Sequence, residues 1–234
     1  MRVFIRGEEV NIDPPANQII WAESMFELSR WNSETVDLIL TDPPYGIDYQ
    51  SNRRVAQPKL PKFDGDKDLS FFPRFIRQAH RVLKQDRHIY ICMRFDTLIE
   101  VGPMIAELFT IKNVIVWVKN HHGSGDLKGA FAPQYEIIVF AHKGRRELIG
   151  KRLPDVWTFD KVASSNLLHG AQKPLRMMIR CIEKSTQPGE LVVDPFCGVG
   201  PSCKAAMLLG RQYIGIDSSR ENATLARKNL EIRE

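Results

Sequence analysis

The chain has 234 residues, 43% of them apolar, and a formal charge of +5, with a sequence pI of about 9.0. That length supports one domain with a full core and room for a small insertion, and the basic balance admits a polyanionic partner without requiring one. No apolar run approaches membrane-spanning length, Met1–Arg6 lacks a signal-peptide core, and Cys92, Cys181, Cys197 and Cys203 form no CxxC pair, which predicts reduced thiols in a cytosolic protein.

Gln18–Trp21, following Asp13-Pro14-Pro15, reads as a short strand, and Ser24 to Trp31 as a short helix. Val36-Asp37-Leu38-Ile39-Leu40 is an apolar, β-branched run typical of a buried parallel strand. Two prolines then stop the ladder, so Asp42 of Thr41-Asp42-Pro43-Pro44-Tyr45-Gly46 stands at the carboxyl end of that strand, where open α/β sheets bind ligands. The Asp42 carboxylate, the Pro43 carbonyl and the Tyr45 ring suit a flat heterocycle with an exocyclic amine, offering two acceptors for its N–H groups and a face for stacking. The bland reading is a proline-rich turn with an incidental Asp.

From Gly46 to Asp68 the sequence is polar and irregular, with Arg53, Arg54, Lys59 and Lys62 among prolines and a glycine. So long a loop beside a candidate site fits a lid or a substrate contact, against the alternative of a solvated basic loop. Phe72, Phe75, Ile76, Ala79, Val82 and Leu83 recur at helical spacing over Ser70–Lys84. Arg87–Cys92 is the next strand, and Asp96 is the expected cap of a helix reaching Phe109, with Gly102-Pro103 at a kink. Val114–Val118 and Tyr135–Phe140 are strands separated by His121-His122-Gly123-Ser124-Gly125-Asp126, whose adjacent histidines lack the spaced partners of a metal site. No metal is expected. Over 143–168 periodicity weakens, and Arg145, Arg146, Lys151 and Arg152 lie near Trp157 and Phe159, a mixture suited to phosphates and bases or to a solvated connection with an aromatic anchor.

Pro174 to Thr186 has helical spacing, with Pro174 expected at the first helical position. Leu191–Asp194 is a strand, Pro195-Phe196-Cys197-Gly198-Val199-Gly200 a tight loop, Pro201–Leu209 a helix, Tyr213–Asp217 a strand and Arg220–Leu230 a closing helix. This is a βαβ unit with a carboxylate about 20 residues beyond its glycines. A dinucleotide fingerprint needs a third glycine where Cys203 stands, and Asp194 would repel a pyrophosphate. An acidic residue there suits a ligand amine, and Asp217 suits a ribose diol. S-adenosylmethionine answers that description better than NAD.

Asp42-Pro43-Pro44-Tyr45 ahead of Asp194-Pro195-Phe196-Cys197-Gly198-Val199-Gly200 resembles the β-class DNA amino-methyltransferases, the permuted type whose catalytic motif precedes its cofactor motif. His169-Gly170-Ala171-Gln172-Lys173-Pro174, Gly210–Asp217 and Trp117-Val118-Lys119-Asn120 extend the likeness over nearly the whole chain. The resemblance implies a Rossmann-like α/β methyltransferase fold, a mostly parallel sheet with helices on both faces and the motif order circularly permuted. It implies that Gln172, Lys173, Asp194, Phe196, Cys197, Gly198, Gly200 and Asp217 surround S-adenosyl-L-methionine, and that Asp42, Pro43, Pro44 and Tyr45 are catalytic. It further implies a single domain over 1–234 with a small target-recognition region within 120–168. Double-stranded DNA is then the substrate, met by Arg53, Arg54, Arg145 and Arg146, with a homodimer and a cognate restriction endonuclease as further partners and a cytoplasmic location. Val199 and Pro201 replace small hydroxyl residues of the family's loop, Glu23 replaces an Asp, and Gly170-Ala171 replaces Pro-Thr.

Asp at the first position of the catalytic motif implies N6-adenine within this family. N4-cytosine methylation is the second reading, and a DNA-binding regulator with a decayed site, suggested by Val199 and Pro201, is the third. Neither charge nor motif excludes RNA.

Overall fold

The computed structural model describes residues 11–44, 69–123, 128–161 and 172–231, and the backbone alone at 4–5 and 8–9. Its strands are β1 (Phe4–Ile5), β2 (Glu8–Glu9), β3 (Gln18–Trp21), β4 (Val36–Thr41), β5 (Leu83–Met93), β6 (Thr110–Val118), β7 (Tyr135–Lys143), β8 (Val156–Thr158), β9 (Leu191–Asp194) and β10 (Gln212–Asp217). Its helices are α1 (Ser24–Ser29), α2 (Phe72–Val82), α3 (Phe95–Leu108), α4 (Leu175–Ser185), α5 (Pro201–Leu208) and α6 (Arg220–Glu231). Tyr45, the 46–68 loop with Arg53 and Arg54, and the His169–Ala171 part of the C-terminal motif lie outside the described residues.

Among the described residues eight strands form one sheet in the order β3-β10-β9-β4-β5-β7-β6-β8, in which only β7 runs against the others. The expected α/β fold with a mostly parallel sheet is therefore present, and its order is permuted as anticipated: the C-terminal strands β9 and β10 sit beside the early strand β4. From β9 the chain crosses to β10 on one side, and from β4 it crosses to β5 on the other. The carboxyl ends of β4 and β9 thus flank a topological switch point, the crevice where such sheets hold ligands.

Alternation along β4 explains the two-sided core. Ile39 joins Ile89, Ile91, Val193 and the apolar stripe of α2 on one face. Leu38 and Leu40 join Tyr90, Val192 and residues of α4 and α5 on the other. The α2 stripe is the one expected from spacing, with Phe72, Phe75, Ile76, Ala79 and Val82 buried. Asp37 is the polar exception inside β4. Burial pushes its carboxyl up, but the Leu191 N–H, Lys84 and Arg87 outweigh that and hold it below the usual range.

Three local expectations are corrected. Arg94 occupies the N-cap of α3 without a side-chain cap bond, while Asp96 lies inside the first turn and pairs with Arg94. Pro174 is the N-cap of α4, extended at ψ 128°. The short strand β8, paired in parallel with β6, falls where hydrophobic periodicity was weak, since three residues are too few to show a period.

Gly215 in β10 marks the tightest packing behind the glycine loop. A Cβ there would stand 2.7 Å from Ile19 Cδ1 and 2.8 Å from the Sγ atoms of Cys197 and Cys203. Gly215→Ala is expected to cost about 1–3 kcal/mol through this overpacking. A melting temperature equal to that of the parent chain would contradict it.

Candidate active site

Asp42 follows the last residue of β4, half-buried, with Pro43 buried behind it. Its neighbour across the switch point is Asp194, the last residue of β9. Thr41 Oγ donates to Asp194 Oδ1 at 2.7 Å, the Phe196 N–H donates to the same oxygen at 3.1 Å, and Ser202 Oγ donates to Oδ2. Burial pushes the Asp194 carboxyl up to about 6, against the pull of those three donors and with help from the nearby Asp42 charge. Asp194 is expected to face a ligand amine, and in the structure both its oxygens also tie the catalytic strand to the glycine loop.

The loop itself is shaped by left-handed residues at Gly198 (φ 52°) and Gly200 (φ 75°). The Gly198 N–H donates to Asp217 Oδ2 at 2.9 Å, and Asp217 Oδ1 accepts from the Ser219 N–H at 2.8 Å. Asp217 therefore anchors the loop to the end of β10, a role the sequence did not reveal. Among the described residues a side chain added at Gly198 would meet nothing within 4 Å, which leaves the loop backbone open to a ligand. Phe196 packs edge-on against Phe71 and Phe75 at 5.6 and 5.3 Å. Cys197 turns inward and is buried, so it offers only its backbone to the cradle, and its side-chain interaction with Cys203, followed by burial, holds its thiol well above the usual range.

The departures at Glu23, Val199 and Pro201 are absorbed by the fold, while Gly170-Ala171 lies outside the described residues. Pro201 opens α5 at the first helical position, where a missing N–H costs nothing. Val199 is buried, and its carbonyl accepts from Asn229 Nδ2 at 3.0 Å. Glu23 caps α1 by accepting from the Met25 and Phe26 N–H groups at 2.9 and 2.6 Å. The feature that suggested a decayed site is thus a packing solution.

Lys173 was grouped with the cofactor residues. The structure sets its buried ammonium on Asp42 Oδ2, and 3.3 Å from Glu136 Oε2. Glu136, at the start of β7, accepts at Oε1 from Lys119 Nζ at 2.5 Å. Burial raises the Glu136 carboxyl, but Lys173 and Lys119 more than offset this and pull it down to about 2. Lys161 lies in the same field: burial, then Lys119 and Lys173, lower its ammonium, while Glu136 opposes them. Thr41, Glu136, Lys119 and Ser202 were missed as site residues. Lys119 stood inside a motif already noted, but the pairing of Glu136 with it depends on strand register, Trp117 opposite Glu136.

Arg145 and Arg146 were expected on DNA. They follow β7, whose reversed direction carries them to the other end of the sheet, since Lys143 pairs with Arg87 whereas Thr41 pairs with Ile91. At roughly 3.3 Å per strand residue that is about 20 Å from Asp42. Arg146 is also bound to Glu190, with contacts of 2.9 to 3.1 Å. The reversal of one strand, invisible in composition, removes this pair from the catalytic edge. Among the described residues no group of three or more His, Cys, Asp or Glu could hold a metal, and no helix is long and apolar enough to cross a membrane.

The sequence profile of the DNA methylase family matches residues 36–228. The chain is 32% identical to the type II methyltransferase M2.DpnII of Streptococcus pneumoniae, over 91% of this chain and 89% of that protein. It is 30% identical to the DNA adenine methyltransferase YhdJ of Escherichia coli K12, over 93% and 83%. In fold it is similar to M1.HpyAVI in its complex with SAM, with a TM-score of 0.71, 23% identity and coverage of 92% and 99%. It is likewise similar to the cytosine-N4-specific PvuII DNA methyltransferase, with a TM-score of 0.74, 15% identity and coverage of 95% and 89%.

Proposed function

The chain belongs to the DNA methylase family, and from that membership we propose that it methylates the exocyclic N6 of adenine in double-stranded DNA, using S-adenosyl-L-methionine. The observation that carries this reading is the Thr41–Asp194 bridge, which fixes an amine-accepting carboxylate at the rim of a glycine cradle. The adenine preference rests on Asp42 and on relatives such as YhdJ, whose name specifies adenine. Gly198, Gly200, Phe196 and Asp217 fit the cofactor, because the loop backbone is open above Gly198 and Asp217 stands at the end of the neighbouring strand. When bound there, the cofactor supplies an activated sulfonium methyl group.

The chain's own contribution is polarisation and placement. An adenine amine is a weak nucleophile because its lone pair is conjugated with the ring. Asp42 and the Pro43 carbonyl accept its two hydrogens, draw the nitrogen toward tetrahedral geometry and stabilise the positive charge that develops. The methylated nitrogen then sheds its extra proton along the hydrogen bond to Asp42. No covalent enzyme intermediate is required, in keeping with the buried Cys197. The target base leaves the duplex stack, with Tyr45 as its new stacking partner. Residues 120–168 are the proposed recognition region of this single domain; the exposed Phe131 and Tyr135 lie within it, Tyr135 opposite Val118 at the end of β6. A homodimer, a companion restriction endonuclease and a cytoplasmic setting of prokaryotic or phage type belong to the same proposal.

Transfer of labelled methyl groups to unmethylated plasmid DNA, followed by nucleoside analysis, tests the reading. N6-methyladenine is expected. N4-methylcytosine would shift it to the second base, and DNA binding without transfer would make the chain a regulator.

DNA contact is now assigned to Arg53/Arg54 alone of the two basic pairs. Neutralising both is expected to weaken DNA binding and flatten its salt dependence by about two counterions' worth of slope. Neutralising Arg145 with Arg146 should leave that slope in place. A reversed pattern in titrations at several salt concentrations would refute the assignment.

A further inference from the structure

The catalytic carboxylate is engaged by a cation before any base arrives. Lys173 Nζ is bonded to Asp42 Oδ2, the atom that the proposed reaction needs as an acceptor. An ammonium there competes with the adenine amine for its seat and opposes positive charge developing on the amine nitrogen. A second carboxylate oxygen stands ready to take that cation. Among the described residues Glu136 Oε2 is buried and makes no hydrogen bond, although Lys173 Nζ is already 3.3 Å away, within ion-pair distance but outside hydrogen-bond geometry. Buried acceptors are rarely left in that state, because the lost hydration is not recovered. The other Glu136 oxygen is held by Lys119, whose ammonium also lies 5.3 Å from the centre of the Trp117 ring. Glu136 is therefore a fixed anion with one open position.

We propose that Lys173 is a positioning residue that moves between the two carboxylates, capping Asp42 at rest and turning to Glu136 Oε2 when the target amine takes its place on Asp42. The movement is a small swing of one side chain, since Lys173 touches both acceptors from a single backbone position. It keeps each buried charge paired at both stages, where an unpaired one would be costly. It also makes entry selective: a group that donates hydrogens to Asp42 can displace the ammonium, whereas one that only accepts cannot. Lys161 adds positive charge beside Lys119 and Lys173, which favours keeping Glu136 ionised throughout.

This inference rests on the methyltransferase reading, and its test separates the two. Glu136→Gln keeps the shape of the side chain but removes the charge that receives Lys173. With unmethylated plasmid DNA it is expected to lower kcat/KM by at least about 10-fold, the scale of coupling between contacting charged residues, with cofactor affinity by calorimetry unchanged. Lys173→Met removes both the cap on Asp42 and the charge that Glu136 receives, so kcat/KM falls and Glu136 loses its part in the reaction. In that background the added Glu136→Gln change should have almost no further effect on kcat/KM. A purely structural role for Glu136 predicts equal losses in both backgrounds, tracked by melting temperature, and that result would overturn the proposal. Normal turnover by Glu136→Gln would do the same. If Glu136→Gln fails to fold, Glu136→Asp takes its place in the same two backgrounds: a kcat/KM loss that vanishes alongside Lys173→Met supports the swing, and an equal loss in both refutes it. If the parent chain methylates nothing, the functional reading fails instead.

Discussion

Asp42→Ala is expected to reduce methyl transfer by about 10²–10³-fold, the effect of deleting one preorganised acceptor of transition-state charge, while S-adenosylmethionine binds nearly as before. The separation follows from geometry. Asp42 is bound to Lys173 and lies beyond the end of β4, whereas the glycine loop is held by Asp194 and Asp217. Removing Asp42 leaves the Thr41–Asp194 bond intact, and Lys173 keeps Glu136 as a partner. If Asp42 were only a turn residue, its loss would lower the melting temperature and harm both functions together. Melting, calorimetry and methyl transfer on one preparation distinguish the two outcomes. A stable, cofactor-binding Asp42→Ala variant with normal turnover would defeat the catalytic assignment.

Asp194→Ala is expected to behave in the opposite way, with stability, cofactor affinity and turnover falling together. Three donors lose their acceptor at once, two of them buried hydroxyls, and a loss of about 2–4 kcal/mol is in keeping with such unsatisfied groups. Asp194→Asn preserves the shape and isolates the charge. The folded carboxyl titrates near 6 against an ordinary value of 3.8, so between about pH 4 and pH 6 the native state holds a proton that the unfolded chain has released. Stability from this group is therefore full below about pH 4 and declines as pH rises to about 6, leaving a constant deficit of about 3 kcal/mol above it. Glu136 acts with the other sign: pulled down to about 2 from 4.5, it loses its contribution as pH falls through that range. The difference between the parent and Asp194→Asn removes such shared terms. That difference should move against the parent as pH rises from 4 to 6, and a flat difference would refute the raised titration.

The α2 stripe and the strand ends at Asp42, Asp194 and Asp217 were legible in the chain because each depends on local pattern. Period 3.6 marks a buried helix face, an apolar run followed by two prolines marks a strand end, and glycines between strand and helix mark a cradle. The permuted motif order was legible for the same reason, since it is a property of the sequence itself. Three-dimensional pairing was not. Asp194 reads as a ligand for an amine, and its second role as a clasp was hidden, because the sequence cannot show that Thr41 and Ser202 close on it. Lys173 reads as a cofactor contact, and its bond to Asp42, 131 residues earlier, shows only in three dimensions. Glu136 carried no motif, and only the register of β7 against β6 brings it to Lys119. Arg145 and Arg146 had the right chemistry at the wrong end of the sheet, because β7 runs antiparallel. Residue type and spacing determined which chemistries the chain carries. Strand direction and register, fixed by burial on both faces of the sheet, decided which charged groups meet.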